Sequence, residues 1–303
     1  MSLAALIAAA GPLATEHANF GSLTTYRVGG TVRVLLTLDS MEDLATIGPW
    51  LVQAGKPIVV LGNGSNLVVA DGEVDVVGIR LGGEFELIEW HDDGEAVVVK
   101  AGAAVDLPVA ARRLASDGVV GFEWAVGVPG TIGGAVVMNA GGHGSDMAAS
   151  VAAVQAWRDG ELSEWTPAML HYDYRSSALS ANDLVTSATL RLARGDAEAA
   201  GVKIREIVRW RREHQPGGAN GGSVFRNPVN EHAARLIEVA GCKGLRVGSA
   251  VVSEKHANFF LVDGGGRAQD IVDLLVLVRQ RVFDDSGIQL ESEHRFVGFE
   301  VTA

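Results

Sequence analysis

Cysteine is almost absent, since Cys242 is the one cysteine among 303 residues. A lone cysteine forms no internal disulfide and supplies no thiolate cluster for zinc, which excludes a disulfide-stapled fold and a cysteine-based zinc site. The eight histidines show no H-E-x-x-H pair or comparable spacing, so the sequence predicts no metal site. This composition favours a reducing compartment, and we expect a cytoplasmic protein.

Positive charge is also scarce, with 25 Lys and Arg against 37 Asp and Glu and a formal net charge of −12. Proteins that bind nucleic acids or anionic membranes carry the opposite sign, so neither partner is expected. The most apolar region, residues 119–142, is interrupted by Glu123, Pro129 and repeated glycines, so no membrane insertion is predicted. The N-terminal stretch MSLAALIAAAGPLA contains no Lys or Arg, so no signal peptide is expected.

Glycine and apolar residues are abundant. Hydrophobic residues make up 48% of the chain, enough for a sizeable core divided over two or three subdomains. The chain has 38 glycines, about one residue in eight, which is nearly twice the glycine content of roughly 7% in an average protein. They follow no collagen-like period. Many backbone positions must therefore need positive φ or a close approach to another group.

The first third of the chain predicts a helix, a strand and then short β-segments. Ser40 is a good N-cap for a helix that ends at Gly55, and PIVVLG (57–62) follows as a buried strand. Further strands are predicted for the short runs LVVAD (67–71), DVVGIRL (75–81), EFELIEW (84–90) and EAVVVKAG (95–102). Asp106 and Pro108 open another helix, which Gly118 ends.

The rest of the chain predicts a hairpin, a strand and a helix-rich end. Asp159-Gly160 forms a hairpin turn between two strand-like runs, and residues 183–193 form a further strand. A charged helix over residues 196–215 must stop near Pro216. One apolar helical face is formed by Ile271, Leu275, Val278 and Val282.

Two glycine-rich loops are the first candidates for a binding site. GNGSN (62–66) directly follows a buried strand, so its backbone N–H groups can form an anion-binding nest, although a tight hairpin is an equally good interpretation. A dinucleotide-binding G-x-G-x-x-G fingerprint would need a glycine at position 67, which is Leu67. Residues 127–144 contain seven glycines, which favours a large ligand against the backbone over plain loop packing.

Three further segments carry reactive side chains, namely YDYRSSAL (172–179), GGSVFRNP (221–228) and LESEHRFVG (290–298). Taken singly, Arg175 can be a surface ion-pair partner, Ser223 a turn hydroxyl and Glu293 a solvated strand residue. Ser223 lacks the G-x-S-x-G context of a hydrolase nucleophile.

Taken together and in order, these segments resemble the UDP-N-acetylenolpyruvoylglucosamine reductase family. The resemblance begins at TTYRVGG (24–30) and continues through GNGSN, PGTIGGAVVMNAGG, DYRSSAL and GSVFRNP. It then covers residues 234–260 and ends at ESEHRFVG (291–298). The single GSVFRNP block resembles the shorter form of the family, without an extra substrate-loop insertion.

The resemblance implies an α+β protein with a two-subdomain FAD-binding fold of the vanillyl-alcohol-oxidase/PCMH type. A C-terminal α+β substrate-binding subdomain would follow. The expected ranges are 1–80 and 81–195 for the two FAD-binding subdomains and 196–303 for the substrate-binding subdomain. The implied cofactor is non-covalent FAD, with NADPH as co-substrate and a UDP-sugar enolpyruvyl ether as substrate.

The family's site residues carry over by motif. The expected FAD-binding residues are Gly62, Asn63, Gly64, Ser65, Asn66, Pro129, Gly130, Thr131, Gly133, Gly134 and Asn139. The expected catalytic residues are Arg175, Ser223 and Glu293. The expected substrate-binding residues are Tyr174 and Asn227.

The chemistry of the implied reaction suits these catalytic residues. Reduction of an enolpyruvyl ether places negative charge next to its carboxylate. The planar Arg175 guanidinium can bind that carboxylate, and a protonated Glu293 can donate a hydrogen bond to it. Ser223 can then deliver the proton, as a general acid does.

Two other interpretations remain open at this point. A flavin oxidase of the same fold, acting on a sugar or an alcohol, often tethers FAD through a histidine beside the pyrophosphate loop, and residues 60–72 contain no histidine. A non-catalytic flavin- or nucleotide-binding module would not need Arg175, Ser223 and Glu293 together.

Overall fold

The described chain contains both helices and strands, with the longest run of consecutive strands between Ile58 and Gly102. The computed structural model describes residues 2–180 and 182–299. The helices are α1 (Leu3–Ala10), α2 (Met41–Ala54), α3 (Leu107–Ser116), α4 (Ile132–Val137), α5 (Pro167–Leu170), α6 (Ala197–His214), α7 (Ala233–Val239) and α8 (Ala268–Ser286).

The strands are β1 (Ala14–Ala18), β2 (Thr31–Leu38), β3 (Ile58–Leu61), β4 (Leu67–Val69), β5 (Glu73–Leu81), β6 (Ile88–Asp93), β7 (Ala96–Gly102), β8 (Val119–Val120), β9 (Gly141–Gly142), β10 (Ser145–Asp146), β11 (Val151–Arg158), β12 (Glu161–Trp165), β13 (Leu184–Arg194), β14 (Arg246–Val247), β15 (Ala250–Val252), β16 (Phe260–Val262) and β17 (Arg295–Val297). The larger sheets have the strand orders β1-β2-β5-β3 and β12-β11-β13-β7-β6, with β8 pairing to β13.

Local signals placed α2 and the β11–β12 hairpin correctly. The Asp43 N–H donates to the Ser40 hydroxyl, and the Asp43 carboxylate accepts from the Ser40 N–H, which forms a capping box. Gly55 ends α2 in the left-handed conformation. Asp159 and Gly160 both have positive φ, as a two-residue hairpin turn requires, and the strands pair from Arg158 opposite Glu161.

The predicted helices around residues 107, 197 and 268 are confirmed as α3, α6 and α8, and the expected apolar face of α8 is buried. The prediction of a strand over residues 84–90 is partly wrong. Residues 83–86 form a 3₁₀ turn, and strand β6 begins only at Ile88. Gly83 has a φ of +53° and lies against the Asp39 backbone, which is incompatible with an extended strand at this point.

Contacts divide the chain into two compact units, each with its own apolar core. The first unit comprises residues 1–16, 34–63 and 76–211, and the second comprises residues 17–33, 64–75 and 212–303. Trp124 and Phe122 are among the largest side chains in the first core, and Tyr26, Phe225 and Phe260 are among the largest in the second. The three predicted subdomain ranges concern cofactor and substrate binding rather than contact density, and they stay a prediction.

The GNGSN loop does not close a hairpin. Strand β3, which precedes it, pairs in parallel with β5, whereas β4, which follows it, pairs in parallel with β17. In the dinucleotide-binding fingerprint the third glycine allows a helix to pack closely against a strand. Leu67 stands at that position here, and it begins strand β4 and not a helix, so no glycine is needed.

Candidate functional site

The two glycine-rich loops approach each other closely within the first unit. A Cβ atom added at Gly62 would lie 2.5 Å from Thr131 Oγ1, and one at Gly133 would lie 2.9 Å from the Ala103 Cβ. Gly130 has a φ of +133°, a conformation that residues with a side chain rarely adopt. Glycine is therefore required at Gly130 by the backbone conformation, and at Gly62 and Gly133 by the close approach of neighbouring residues.

Two buried polar atoms of the first unit have no hydrogen-bond partner among the described residues, the Trp124 Nε1 and the Tyr172 hydroxyl. Trp124 lies in the 3₁₀ turn that leads into the second glycine-rich loop. Burial raises the pKa of the Tyr172 phenol, so this group remains a neutral donor. Buried donors of this kind are costly unless something accepts from them. Together with the glycine-lined backbone, they fit a bound cofactor that has acceptor atoms.

Two of the expected cofactor-binding asparagines are engaged by the first unit itself. Asn63 donates to the Asp106 carboxylate. Asn139, which is 4% exposed, donates to the Asp173 carbonyl oxygen at 3.0 Å and accepts from the Ala148 N–H at 3.0 Å. The Asn139 side chain thus holds the segment that carries Tyr174 and Arg175.

Arg175 is held in an unusual backbone conformation beside this loop. Its φ of +57° lies in the left-handed region, which is uncommon for residues other than glycine and is often found at functional sites. Its Nη2 donates to the Gly141 carbonyl oxygen at 2.9 Å, and its guanidinium carbon lies 5.1 Å from the centre of the Tyr174 ring. The Ser177 hydroxyl anchors the same segment by donating to the Val137 carbonyl oxygen at 2.7 Å.

Ser223 and Glu293 lie on neighbouring segments of the second unit. The Glu293 N–H donates to the Val224 carbonyl oxygen at 2.8 Å, which places the residue after Ser223 directly beside Glu293. On its other side, the serine segment is fixed by the buried Asn258, whose side chain accepts from the Phe225 N–H at 2.9 Å and donates to the Phe225 carbonyl at 2.8 Å. Both Ser223 and Glu293 are partly exposed.

The remaining expected residues occupy varied positions. Gly64 is buried with a φ of +62°, and Ser65 is partly buried. Asn66 donates from its amide to the Glu293 carbonyl oxygen at 2.9 Å. The exposed Asn227 accepts from the Ala233 N–H at 3.1 Å, at the beginning of α7. Pro129 is exposed in the second glycine-rich stretch, and Gly134 is exposed in α4, the short helix that this stretch contains.

The structure therefore brings Ser223 and Glu293 together in the second unit, along with Gly64, Ser65 and Asn66. It groups the second glycine-rich loop with Gly62 and Asn63 in the first unit. Arg175 and Tyr174 also belong to the first unit. Sequence reasoning missed Trp124 and Tyr172, because no local pattern shows that a buried polar atom lacks a partner.

Comparison with known proteins connects these two regions to one enzyme family. A sequence model of the FAD binding domain matches residues 32–162, and one of the C-terminal domain of UDP-N-acetylenolpyruvoylglucosamine reductase matches residues 214–297. The reductase of Anaplasma marginale is 40% identical over 277 residues, which are 91% of this chain and 90% of that protein. The reductase of Paramagnetospirillum magneticum is 42% identical over 277 residues, with shares of 91% and 89%.

The chain belongs to the UDP-N-acetylenolpyruvoylglucosamine reductase family. A solved structure, the reductase of Thermus caldophilus, is 35% identical and superposes with a TM-score of 0.79 over 94% of this chain and 98% of that one. The predicted family, the α+β FAD-binding fold and the class of FAD-containing oxidoreductase are thereby confirmed.

The FAD-binding match includes both glycine-rich loops, whereas the reductase-specific C-terminal match includes Ser223, Asn227 and Glu293. Tyr174 and Arg175 lie between the two matches. No helix among the described residues is long and apolar enough to cross a membrane.

Proposed function

We propose that this chain catalyses the NADPH-dependent reduction of UDP-N-acetylglucosamine enolpyruvate to UDP-N-acetylmuramate, in the synthesis of peptidoglycan precursors. Membership of the reductase family supports the substrate class, because relatives with this name match about nine-tenths of the chain. The observation that carries the proposal is the pairing of the Ser223 and Glu293 segments in the second unit. The reaction would take place in the cytoplasm, where it would serve cell-wall synthesis and through it cell shape and division.

FAD would be held without a covalent bond by the two glycine-rich loops. The pyrophosphate would lie against the backbone of Gly62, Asn63, Gly64, Ser65 and Asn66. The rest would lie against Pro129, Gly130, Thr131, Gly133, Gly134 and Asn139. The close approach at Gly62 and the unpartnered Trp124 Nε1 support this placement. When bound, FAD supplies hydride transfer from NADPH to the vinyl carbon of the enolpyruvyl ether.

The catalytic residues would handle the charge and the proton that accompany this transfer. Arg175 would bind the substrate carboxylate through two parallel hydrogen bonds. Glu293, in its protonated form, would donate a hydrogen bond to the developing enolate. Ser223 would deliver a proton to the carbon next to the carboxylate, which completes the reduction of the double bond. Tyr174 and Asn227 would contact the substrate's sugar nucleotide.

The test is an anaerobic stopped-flow experiment on the FAD-loaded protein. NADPH and NADH are each compared for bleaching of the flavin, and the enolpyruvyl sugar nucleotide is then added to the reduced protein. We expect faster bleaching with NADPH and rapid, stoichiometric reoxidation by the sugar nucleotide. Reoxidation by oxygen but not by the sugar nucleotide would favour the oxidase alternative. Bound flavin with no turnover would favour a binding module.

A further inference from the structure

A line of buried polar groups runs through the second unit beside the proposed catalytic residues. The Tyr26 hydroxyl lies 2.8 Å from His294 Nε2, and His294 Nδ1 lies 3.1 Å from Asn66 Oδ1. Asn66 Nδ2 then reaches the Glu293 carbonyl oxygen at 2.9 Å. Tyr26 is 1% exposed and His294 is 6% exposed. Polar groups at such depth are retained only where each finds a partner.

The hydrogen bonds of this line all point in one direction. The Glu293 carbonyl oxygen can only accept, so the Asn66 amide nitrogen must face it and the Asn66 Oδ1 must face His294. That oxygen also only accepts, so His294 must carry its proton on Nδ1. The Nε2 of a neutral imidazole is then an acceptor, and Tyr26 donates its hydroxyl proton to it.

The other end of the line reaches the serine segment. The backbone of Gly221 hydrogen-bonds to the Tyr26 phenol, and its N–H is the group that can donate to the phenol oxygen. A Cβ at Gly221 would lie 2.5 Å from Tyr26 Cε2 and 2.9 Å from His294 Cε1, so only glycine allows this approach. Gly221 lies two residues before Ser223. The line therefore begins beside Ser223 and ends on the backbone of Glu293.

We propose that Tyr26, His294 and Asn66 are positioning residues that hold the Ser223 and Glu293 segments in register through one directed hydrogen-bond chain. The catalytic part of this inference rests on the function proposed above. Asn66 reaches Glu293 at its backbone carbonyl oxygen and not at its side chain. The chain thus acts through the backbone and not by contact with substrate.

The chain also ties the GNGSN loop to the same two segments. Asn66, the last residue of that loop, accepts from the Arg295 N–H at 2.9 Å through its own carbonyl, and the Thr25 N–H donates to the Gly64 carbonyl at 3.2 Å. The TTYRVGG segment therefore holds the middle of the loop, and the segment around His294 holds its last residue. Because hydrogen bonds in a series polarise one another, removal of one member weakens its neighbours as well.

The direction of the chain is tested by the tautomer of His294 in the FAD-loaded protein. Nitrogen NMR of protein labelled with ¹⁵N-histidine is recorded for the wild type and for His294→Gln, which identifies the signal. We expect a neutral ring with the proton on Nδ1. A proton on Nε2, or a charged ring at neutral pH, would overturn the inference.

The positioning role is tested by Tyr26→Phe, which removes one hydroxyl and keeps the ring. A displacement of a catalytic group by about 1 Å lowers a rate by up to about 10²-fold, so we expect slower reoxidation of the flavin by substrate with little change in KM. Bleaching by NADPH should stay near the wild-type rate. The matched control is Ser253→Ala, which removes another buried hydroxyl of the second unit that accepts from the Lys255 and His256 N–H groups.

A double variant separates positioning from stability. Tyr26→Phe combined with His294→Leu removes the buried Tyr26–His294 pair, and the Asn66 Oδ1 that loses its donor belongs to a partly exposed residue that water can reach. Thermal stability should therefore recover relative to Tyr26→Phe alone while reoxidation stays slow. Recovery of the rate together with stability would overturn the positioning role, as would an equal loss of rate in Ser253→Ala. If the substrate does not reoxidise the flavin of the wild type, the proposed function is wrong. The tautomer of His294 would still show whether the directed hydrogen-bond chain exists.

Discussion

The two units build their parts of the site from different materials. In the first unit the candidate cofactor site is made largely of backbone, with Gly62, Gly130 and Gly133 at positions where a side chain would collide or strain. In the second unit, Ser223 and Glu293 are held by buried side chains such as Asn258 and by the line that contains His294. Where the backbone must approach a ligand, no added side-chain atom is tolerated. A network of side chains can lose one polar atom and remain folded, but the residues that it holds then shift from their positions.

This difference predicts two kinds of failure. A side chain added at one of these glycines of the first unit should prevent the protein from retaining its cofactor. A deleted polar atom in the second unit should leave the cofactor in place and slow the step that uses the substrate. The predictions below test that division.

The largest expected effect is that of Gly62→Val. The added Cβ would lie 2.5 Å from Thr131 Oγ1 and 3.2 Å from its Cγ2, and the two methyl groups of valine need still more room. We expect a folded, colourless protein that retains no FAD through gel filtration and has no reductase activity. Flavin absorbance after purification and circular dichroism measure the two properties.

The control is Gly201→Ala within α6, where the nearest atom is the flexible end of Arg205 at 3.3 Å. Alanine is favoured over glycine in a helix by about 1 kcal/mol, so this variant should keep its FAD and gain slightly in stability. Stoichiometric FAD in Gly62→Val would remove this loop from the cofactor site.

The next largest effect is that of Ser223→Ala. If Ser223 supplies the proton, its loss should slow reoxidation of the flavin by substrate by about 10² to 10⁴-fold, the usual contribution of a general acid. That factor corresponds to roughly 3 to 5 kcal/mol of activation free energy. Stopped-flow absorbance measures this step and the reduction by NADPH separately. Equal slowing of both steps would instead assign Ser223 to positioning of the flavin or the nicotinamide.

Substitution of Glu293 should slow reoxidation of the flavin less than Ser223→Ala does, and least when glutamine preserves the shape of the side chain. Removal of a hydrogen-bond donor to a developing oxyanion costs about 10² to 10³-fold in rate, so Glu293→Ala should slow reoxidation by about that factor. Glu293→Gln retains a donor and should be milder. The same stopped-flow traces provide the comparison, and a glutamine variant as slow as the alanine variant would mean that Glu293 transfers a proton.

The backbone-built region was the more predictable from sequence. Glycine in residues 127–144 and in the GNGSN loop indicates where the backbone needs room or an unusual conformation, and this can be seen from the local sequence. The capping box at Ser40 and the Asp159-Gly160 turn are also formed by residues close in sequence. The family resemblance then supplied Arg175, Ser223 and Glu293, whose residue types alone have ordinary surface explanations.

The hydrogen-bond chain was not predictable, because its members are distant in sequence. Tyr26 and His294 are 268 positions apart, and each has an ordinary interpretation as a core aromatic or a strand residue. No periodicity links them, and only the parallel pairing of β4 with β17 brings Asn66 beside the segment of His294. Residues that act through other residues carry no local signature of their own.

The last expected effect concerns stability and not rate, and it is a pH dependence that begins at a different pH for His294 and for Asp183. Burial lowers the pKa of His294 to about 4, whereas an unfolded histidine titrates near 6.5. The unfolded chain therefore binds the proton first, and the stability that neutral His294 provides is present above pH ~6.5 and lost as pH falls from there towards 4. The loss is about 1.4 kcal/mol for each pH unit in this window.

In the first unit, Asp183 should respond at lower pH. Burial alone raises the pKa of its carboxyl, but the Arg158 guanidinium and the Ser180 N–H outweigh burial and leave the pKa below its usual value. Its contribution is therefore present above the unfolded pKa of about 3.9 and is lost as pH falls below that value. Asp183→Asn should remove a dependence that begins only below pH ~4.

Urea unfolding at several pH values between 4 and 7.5 measures the His294 contribution as the difference between the wild type and His294→Gln. Burial also lowers the pKa of His256 in the second unit and of His143 in the first, so the wild type alone would report all three histidines, whereas the difference isolates His294. We expect the variant to lose less stability than the wild type between pH 6.5 and 4, and Asp183→Asn to follow the wild type in that window. Parallel curves for the wild type and His294→Gln would mean that His294 is protonated as readily in the folded protein as in the unfolded chain. The uncharged chain from Tyr26 to Glu293 would then not exist.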